Sequence, residues 1–498
     1  MSQRARDARH TGLASALSGL SPAQATGRLL EQDLFLDWAP VIESMPAGQA
    51  IVRTTANLIV RFCPSLRIVP NTELAAVVAQ VMRDIDSSAE PDRTPRPNAL
   101  RIHLGGGSRG DVTGSASGWI ASVSGFGDEL PPLGEVAPAI GAHAAAALVA
   151  SQVFAKALPL DPRLAGPSPL TQFSTFDYLA DGTNPVLAGP PTLAPSLLAG
   201  VGAVGQAFID TLVGIDARGN VAAVDFGRVD DPTNLNRSVL ALERDLVGEA
   251  LKVELAVRRA SASGVDIEPL AAPLVHVIAE IENGSRTLPG IVLSALDNRP
   301  ARWELQSLWP DLVLESATGD SMVQIFRHAH GEATACLRCL HREDAAQEGP
   351  SYLVRMSALT GLSPERLRAG LEDADDRLAD EDIGAVAPGV LEIAEKHVGR
   401  DVCGFLSDVE RLLPAAADLP LVSVAFTSYL AGVFLAGELV KASVGLRSPL
   451  IGRYQIDPLA TLRPGKPFIQ RPDRRCFCQQ REAIVAAIRA KRSAGHFA

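Results

Sequence analysis

The chain has 498 residues, of which 47% are hydrophobic and 21% are charged, and its formal net charge at pH 7 is −11. A globular chain of this length is expected to hold roughly two to four domains. The acidic balance argues against a nucleic-acid partner, because nucleic-acid phosphates would be repelled. Six cysteines in so long a chain do not predict a disulfide framework.

The ends of the chain and its apolar stretches bear on location. The first twelve residues are polar and lead into no apolar segment, so they do not predict a secretory signal peptide. Two later stretches, Val136–Ala155 and Leu419–Gly437, are uncharged and reach the length of a membrane span. Both are rich in small residues, which favours buried helices of a large domain. We therefore expect a cytoplasmic protein with no membrane partner.

The first part of the chain alternates between helix and strand patterns. Residues 48–69 predict a helix and then a strand, residues 72–85 a helix, and residues 99–104 a strand. Such alternation predicts an α/β layer. The run Gly105–Gly110 after the last strand lacks a following apolar helix and a distant acidic residue, so we interpret it as a loop. Cys63 lies in an apolar run and is predicted to be a core residue.

Two alanine-rich segments resemble each other. Ala150–Lys156 and Ala436–Lys441 each end a long stretch of small residues. Shared composition can produce this likeness. Alternatively, the chain contains two copies of one fold, the first without nucleotide motifs. The Pro-rich segment Asp181–Pro195 is the candidate linker between the halves.

A glycine motif follows this segment. Gly200, Gly202 and Gly205 form the pattern GxGxxG between an apolar run and a helix-like run. Glycines there let backbone N–H groups and a helix N-terminus approach phosphate oxygens. Asp225 ends the next apolar run, twenty residues past Gly205, where a carboxylate can accept hydrogen bonds from ribose hydroxyls. The unit predicts nucleotide binding and fits an NAD-dependent oxidoreductase as well as an ATP-dependent enzyme.

Charged residues downstream narrow the chemistry. Asn234 and Arg237 in the run NLNR, and then Lys252, follow the nucleotide strand, and Asp297 ends the apolar run 291–296. Cations that reach a triphosphate, with a carboxylate placed for Mg²⁺, are what nucleotidyl transfer requires. Hydride transfer needs little positive charge, so the pattern favours ATP.

The ordered set GxGxxG, D, NLNR, G…K and DN…R, from Gly200 to Arg302, resembles the ThiF/MoeB-like superfamily of sulfur-carrier adenylyltransferases and ubiquitin-activating enzymes. The resemblance implies a Rossmann-like α/β adenylation fold with ATP and Mg²⁺ as cofactors. The roles that it implies are ribose binding by Asp225, ATP phosphate binding by Asn234, Arg237 and Lys252, and Mg²⁺ binding by Asp297.

The chain departs from the superfamily pattern in three places. Gly227 stands where members often have the second aspartate of Asp-x-Asp, and Ser238 stands where Gln usually follows NLNR. The spacing from Gly248 to Lys252 is one residue longer than usual. These departures affect the fine geometry of the predicted site rather than its class.

Four cysteines form two close pairs that are far apart in sequence. They are Cys336 and Cys339, then Cys476 and Cys478. Each pair can chelate from a turn, so the set predicts a tetrahedral zinc site that joins distant segments. Four unrelated thiols, or a redox CxxC, are the alternatives. Sulfur-carrier activators carry a similar structural zinc. His328 and His330 share a strand face with no carboxylate in register and are interpreted as solvated.

Residues 341–418 are acidic and helix-rich, and they predict an insertion of about 80 residues. In ubiquitin-activating enzymes the domain with the catalytic cysteine is inserted at a similar place, so the resemblance implies a thioester on Cys403. Arg400 and Lys396 nearby would favour its thiolate. Alternatively, Cys403 is a small buried hydrophobe among apolar neighbours.

The predicted organisation has four parts. They are a degenerate, inactive adenylation-like half (1–180), the first part of the active adenylation domain (181–340), a helical catalytic-cysteine insertion (341–418), and the rest of the active domain with a zinc-binding tail (419–498). Ubiquitin-activating enzymes pair two such halves within one chain, whereas simpler members pair two identical chains. A pseudo-dimer and a homodimer both stay open.

The predicted function is ATP-dependent activation of a ubiquitin-like protein. Its C-terminal carboxylate would be adenylated, passed to Cys403 as a thioester and transferred to a conjugating enzyme. The chain most resembles bacterial ubiquitin-activating-like enzymes of ubiquitin-like conjugation (Bil-type) operons, which implies a role in antiviral defence. The alternatives are a sulfur-carrier adenylyltransferase without a thioester step, an NAD-dependent oxidoreductase and a non-catalytic nucleotide-binding scaffold.

Overall fold

A computed structural model gives the fold of the chain. The described residues are 13–14, 17–18, 20, 22–92, 94, 97–107, 110–160, 166–169, 171–319, 321–342, 356–357, 359–363, 366–367, 369–370, 376–412, 424–459 and 465–493. By its internal contacts the chain forms two compact units. The first unit consists of Met1–Leu340 with Leu421–Ala498, and the second is His341–Pro420.

The first unit contains two β-sheets. The strands of the first sheet are β1 (Leu34–Trp38), β2 (Leu66–Ile68), β3 (Leu100–Leu104), β4 (Val112–Ser117), β5 (Ile120–Ser124) and β6 (Thr171–Ser174). The strands of the second sheet are β7 (Ser196–Ala199), β8 (Gly219–Val224), β9 (Val265–Leu270), β10 (Ile291–Ser294), β11 (Leu312–Gly319), β12 (Met322–Ala329) and β13 (Gly452–Ile456).

The helices of the described residues are numbered in chain order. Those before the second sheet are α1 (Pro22–Glu31), α2 (Pro46–Val60), α3 (Glu73–Ile85) and α4 (Ile140–Ala157). Those that follow are α5 (Ala203–Gly214), α6 (Thr233–Arg237), α7 (Glu243–Val247), α8 (Lys252–Ala260), α9 (Leu274–Glu282), α10 (Arg299–Ser307) and α11 (Leu337–Leu340). The last are α12 (Asp380–Ile383), α13 (Leu391–His397), α14 (Val402–Leu412), α15 (Ala425–Ser443), α16 (Phe477–Gln480) and α17 (Glu482–Ser493). Pro40–Ser44 and Pro388–Val390 form 3₁₀ turns.

The two sheets share one topology. The first has the order β2-β1-β3-β4-β5-β6, and the second, read from its other edge, has the order β9-β8-β7-β10-β11-β12-β13. In each sheet the first strand lies between two parallel neighbours, a third parallel strand follows, and the last two strands are antiparallel. Strand β9 alone has no counterpart among the described strands of the first sheet. The predicted α/β fold with a degenerate N-terminal copy is confirmed.

Helices α4 and α15 occupy equivalent places in the chain, because each connects the last two strands of its sheet in sequence. Both are long and apolar enough to cross a membrane by length and composition, yet 94% of each is buried inside the fold. They pack against each other and against α2 and α5, so these four helices form the centre of the first unit. The prediction of buried helices is confirmed.

Local sequence accounts for the start of helix α3 and for the composition of strands β7 and β10. The Thr72 side chain caps α3 by accepting a hydrogen bond from Ala75 N at 3.3 Å. Strand β7 is buried at every residue and β10 at all but its first, because helices cover both faces of the sheet, and both strands read as continuous apolar runs.

The candidate linker packs along both halves of the first unit. Asn184 Oδ1 accepts a hydrogen bond from Trp119 N at 2.8 Å, and Trp119 Nε1 donates to Pro185 O at 2.9 Å. Further on, Leu193 N donates to Arg218 O at 2.7 Å, beside strand β8. The segment is therefore a packed connection with partners in each half.

The second unit is built of helices around a small core of its own. Phe405, Leu406 and Leu378 are fully buried in that core. Arg366 binds both Asp376 and Asp382 at 2.8 Å. Cys403 lies in α14, and its side chain is outside the described part of the structure.

Candidate nucleotide site and cysteine cluster

The glycine motif forms the turn between β7 and α5. Gly200 has φ +92°, and a Cβ there would lie 2.7 Å from Ala295 O, so only glycine fits. A Cβ at Gly205 would overlap the carbonyl oxygen of Gly200. Gly202 caps α5, and a Cβ there would have nothing within 4 Å. The first and third glycines therefore allow close packing, and the second faces open space at the helix N-terminus, where a phosphate would bind.

Asp225 connects the glycine turn to the loop after β8. One carboxylate oxygen accepts a hydrogen bond from Val201 N, and the other accepts from Gly227 N, both at 2.7 Å. Lys252 N donates to Gly227 O at 2.9 Å. A Cβ at Gly227 would lie 2.7 Å from Lys252 Nζ and 3.0 Å from the Asp225 carboxylate. A side chain at this position, where superfamily members often have the second aspartate, would displace the Lys252 ammonium from the place that it has here.

Helix α6 carries Asn234 and Arg237. Asn234 is buried, and its Oδ1 lies 3.5 Å from the Arg237 guanidinium. The segment after α6 is tied to the glycine turn by Gln206, a fully buried side chain that the motif does not single out. Its Nε2 donates to Val201 O at 3.2 Å, and its Oε1 accepts from Leu240 N at 3.1 Å.

Asp297 is exposed in the loop that follows β10. Asn298 Nδ2 lies 3.3 Å from the Asp297 carboxylate, and Asn298 Oδ1 caps α10 by accepting a hydrogen bond from Ala301 N at 2.9 Å. Arg302 holds this loop, because it donates to Leu296 O at 2.6 Å and pairs with Glu315 at 2.8 Å. Glu315 is fully buried on β11. Sequence reasoning missed Glu315, although a carboxylate inside the apolar run LVLES was a signal.

These groups meet at one edge of the second sheet. Strands β8, β7 and β10 are parallel neighbours, so their carboxyl ends lie side by side. The glycine turn, Asp225 and the Asp297 loop follow those three ends. The chain passes from β7 to β8 on one side of β7 and from β9 to β10 on its other side. The strand order therefore reverses beside β7, and such a reversal is where ligands bind in open α/β sheets. Helix-terminal N–H groups, the Lys252 ammonium and the exposed Asp297 carboxylate fit a nucleoside triphosphate with Mg²⁺.

The four cysteines of the two distant pairs come together. Their sulfur atoms lie within 4.8 Å of one another, and three of the distances are 3.5, 3.7 and 3.7 Å. Four Zn–S bonds of about 2.3 Å in a tetrahedron place the sulfurs about 3.8 Å apart, whereas a disulfide needs about 2.0 Å. Asp473 N donates to Cys339 Sγ at 3.3 Å, and a hydrogen bond with Cys336 lowers the pKa of Cys339 to about 7. The cluster fits a closed structural zinc site.

Other predicted residues lie elsewhere. His328 bonds to the Thr334 hydroxyl at 3.1 Å, and burial lowers the pKa of His328 to about 4. His330 is exposed and His328 is half-buried, so the solvated-face interpretation fits His330 fully and His328 in part. Cys63 is a core residue as predicted, and burial raises the pKa of its thiol to about 11.

Comparison with known proteins gives a family and distant relatives. A model of the ThiF family matches residues 194–474. The uncharacterized protein y4jF of Sinorhizobium fredii is 26% identical over 492 residues, which cover 90% of this chain and 89% of that protein. The solved structure of Escherichia coli MccB with succinimide has a TM-score of 0.36 at 13% identity and covers 57% of this chain and 66% of its own. The solved structure of PaaA has a TM-score of 0.33 at 13% identity, and the match covers 55% of this chain and 73% of PaaA.

Proposed function

The chain belongs to the ThiF family of adenylyltransferases, and from that premise we propose that it uses ATP to adenylate the C-terminal carboxylate of a protein or peptide. The resemblance found in the sequence is thereby confirmed at the level of the ThiF/MoeB-like superfamily. One observation carries the proposal. The glycine turn, Asp225, Lys252 and the Asp297 loop meet at the carboxyl ends of three adjacent parallel strands.

The proposed reaction is a displacement at the α-phosphate. A carboxylate oxygen of the substrate attacks that phosphorus, the bond to the β-phosphate oxygen breaks, and pyrophosphate leaves with the electron pair. Arg237 and Lys252 stabilise the charge that develops on the phosphates. Asn234 contacts the phosphates from α6, and Asp225 accepts hydrogen bonds from the ribose. The N–H groups at the start of α5, opened by Gly202, bind phosphate oxygens.

Two metals accompany this proposal. Asp297 would hold Mg²⁺, which supplies charge neutralisation of the triphosphate when it is bound. The four clustered cysteines would hold Zn²⁺ as a structural ion. That zinc would join α11 to the segment before α16, far from the chemistry in sequence.

We further propose a ubiquitin-like protein as the substrate. The adenylate would pass its acyl group to Cys403 in α14, with release of AMP, and the thioester would be transferred to a conjugating enzyme. The support is the helical unit inserted between β12 and β13 and the resemblance to ubiquitin-activating enzymes. In this proposal the protein acts in a cytoplasmic bacterial conjugation pathway in antiviral defence. Its two halves pair within one chain.

Pyrophosphate exchange into ATP tests the adenylation step. The full-length protein is incubated with ATP, labelled pyrophosphate and candidate small ubiquitin-like proteins. We expect exchange that depends on the substrate and falls by about a thousandfold in Lys252→Ala. Substrate-independent nicotinamide binding without any exchange would instead support the oxidoreductase alternative.

A non-reducing gel tests the thioester step. With substrate and ATP, we expect a band that is lost on adding thiol and absent in Cys403→Ala, while the core variant Cys63→Ala retains it. Exchange activity without that band would mean a sulfur-carrier type of adenylyltransferase. A band that survives Cys403→Ala would overturn the assignment of Cys403.

A further inference from the structure

A buried arginine of the first half contacts the segment that carries the predicted phosphate-binding residues. Arg61 ends helix α2, and its side chain is 5% exposed. Its Nη1 donates to Leu235 O at 2.5 Å, and its Nη2 donates to Val239 O at 2.8 Å and Ala241 O at 3.3 Å. The guanidinium of the inactive half therefore binds three backbone carbonyls of the active half.

One of the three carbonyls that Arg61 binds belongs to helix α6. Helix α6 has a single turn, Thr233–Arg237, and the last carbonyls of any helix lack partners within that helix. Leu235 O belongs to that last turn, so Arg61 caps the helix that presents Asn234 and Arg237. A cation there also opposes the negative end of the helix dipole.

The guanidinium is itself held in place. Arg61 Nε donates to Asn57 Oδ1 at 2.9 Å, one turn earlier on α2. Asn57 Nδ2 donates in turn to Val239 O at 3.2 Å. Burial lowers the pKa of Arg61 to about 9, and the carbonyl dipoles offset part of the cost of burying the charge. Nothing in the nucleotide motif itself requires this pair.

The same segment is held from the other side by residues of the active half. Gln206 Oε1 accepts from Leu240 N at 3.1 Å, and Arg258 donates to Leu240 O at 3.1 Å. Residues 235–241 thus lie between α5 and α8 on one side and α2 on the other. If the contacts with α2 were removed, the segment 235–241 would keep its hydrogen bonds with Gln206 and Arg258 but lose those with α2.

We propose that Arg61, with Asn57, is a positioning residue for the nucleotide site: the first half holds the phosphate-contacting helix by its backbone, so the active site is complete only when both halves are packed together. This inference rests on the proposed function for its kinetic consequence. The contact between Arg61 and the segment 235–241 stands on the geometry alone.

Arg61→Met tests the inference, with Arg67→Met as the matched control. Arg67 is an equally buried arginine of the first half, and it binds Asp33 and Glu90, both in that half. In pyrophosphate exchange we expect Arg61→Met to raise the KM for ATP by about tenfold or more, since several charged hydrogen bonds are lost. Arg67→Met should lower thermal stability with the KM for ATP changed less than about twofold.

Two further measurements keep the inference testable if Arg61→Met folds poorly or wild type shows no exchange. Asn57→Ala, which keeps the arginine, should raise the KM for ATP by about threefold. Amide hydrogen exchange of the nucleotide-free protein should speed up at residues 233–241 in Arg61→Met or Asn57→Ala, and not in Arg67→Met. Unchanged amide hydrogen exchange at residues 233–241 in these variants would overturn the inference. Absence of adenylation by the wild-type protein would overturn the proposed function alone.

Discussion

The turn after β1 and the turn after β7 occupy the same place in two copies of one fold, and they differ in a way that separates packing from chemistry. The third residue of the following helix is glycine in both copies, Gly48 in α2 and Gly205 in α5. At each, a Cβ would overlap a backbone carbonyl oxygen of the preceding turn, from Ile42 or Gly200. The packing glycine has been kept in both halves because the helix must lie close to its sheet.

Gly202, the glycine proposed to approach phosphate, has no counterpart in the first turn. Between β1 and α2 the chain forms the 3₁₀ turn Pro40–Ser44, and the Trp38 indole donates to Glu43 at 2.6 Å. The loop after β3, which corresponds to the Asp297 loop, begins Gly105-Gly106-Gly107. Its carboxylate, Asp111, lies at the opposite end of the strands, where it accepts a hydrogen bond from Arg101 N at 2.8 Å. The first copy therefore kept the residues that build the fold and lost those that would bind a nucleotide.

The polar side chains at that edge of the first sheet satisfy one another. Asp37 pairs with Arg101 at 2.5 Å and lies 3.5 Å from His103. Burial alone would raise the pKa of Asp37, but hydrogen bonds with His103 and Arg101 outweigh it and lower that pKa to about 2. The carboxylate at that end of the first sheet is therefore paired with basic side chains, whereas Asp297 of the second sheet is exposed.

Metal content is expected to give the largest effect. The cysteine cluster belongs to the second half, so we expect roughly one zinc per chain in the purified protein. Cys336→Ser should lose the ion and, with it, much of a metal-binding free energy on the order of 10 kcal/mol. Elemental analysis and thermal unfolding measure both. Cys63→Ser, in the first half, should leave the zinc content unchanged, and a wild-type protein free of zinc would refute the site.

Loss of the Asp297 carboxylate should come next. Asp297→Ala is expected to reduce pyrophosphate exchange by about a thousandfold, because Mg²⁺ would lose its protein ligand. Asp266→Ala is the control, since Asp266 is exposed on β9 and pairs in register with Asn220 near the opposite end of the strands. Exchange that survives in Asp297→Ala would point to a second site, and hence to a first half that is not degenerate.

Alanine at the two packing glycines tests their equivalence. Gly48→Ala and Gly205→Ala should each lower the free energy of unfolding by about 1–3 kcal/mol or more, because a Cβ overlaps backbone. Denaturant unfolding measures the loss. Gly202→Ala has open space around it, so it should keep stability within about 0.5 kcal/mol and weaken only ATP binding. If Gly48→Ala left the free energy of unfolding unchanged, the two turns would not be equivalent.

A pH dependence of stability is expected at the contact of the two halves. His143 Nδ1 lies 2.8 Å from the Tyr429 hydroxyl, which donates to Asp210 at 2.6 Å. Burial lowers the pKa of His143 to about 4; nearby Asp210 opposes this shift and Arg259 adds to it. The folded state thus binds the proton more weakly than the unfolded state. Stability is full above about pH 6.5 and falls by up to about 3 kcal/mol by pH 4.

Urea unfolding between pH 7 and pH 4.5 measures this loss. His143→Gln should remove part of it, and the remainder should include His328, whose pKa burial also lowers to about 4. An unchanged pH profile in His143→Gln would show that His143 is not buried as a neutral group.

Some of the fold could be predicted from sequence because local signals agreed with it. Strand β7, helix α5 and strand β8 are apolar runs punctuated by glycine, and both long alanine-rich helices carry charged residues only in their last two turns. Strands β4, β5 and β6 were not predicted, since VTGSAS, IASVS and TQFS are small and polar. Strands β4 and β5 are buried because α4, an alanine-rich helix, packs closely on them, and Phe173 of β6 packs against Phe434 and Tyr454 of the second half. Strand β1 was not predicted either, because it precedes residue 48, where the first predicted element begins.

The candidate site shows the same division. The pattern names Asp225, Lys252 and Asp297, whose neighbours in sequence identify them. Gln206, Glu315 and Arg61 do not belong to any short pattern, and their roles come from contacts with distant segments; Arg61 lies 174 residues from Leu235. The Arg61 contacts are set by the packing of the two halves, which one sequence does not display.

The number of ATP molecules bound per chain tests the central claim most directly. Equilibrium titration of the full-length protein with ATP and Mg²⁺ should give about one site per chain, abolished by Lys252→Ala and kept in Asp266→Ala. Two sites per chain would contradict a degenerate first half. No binding at all would contradict the assignment of the edge formed by β7, β8 and β10 as a nucleotide site.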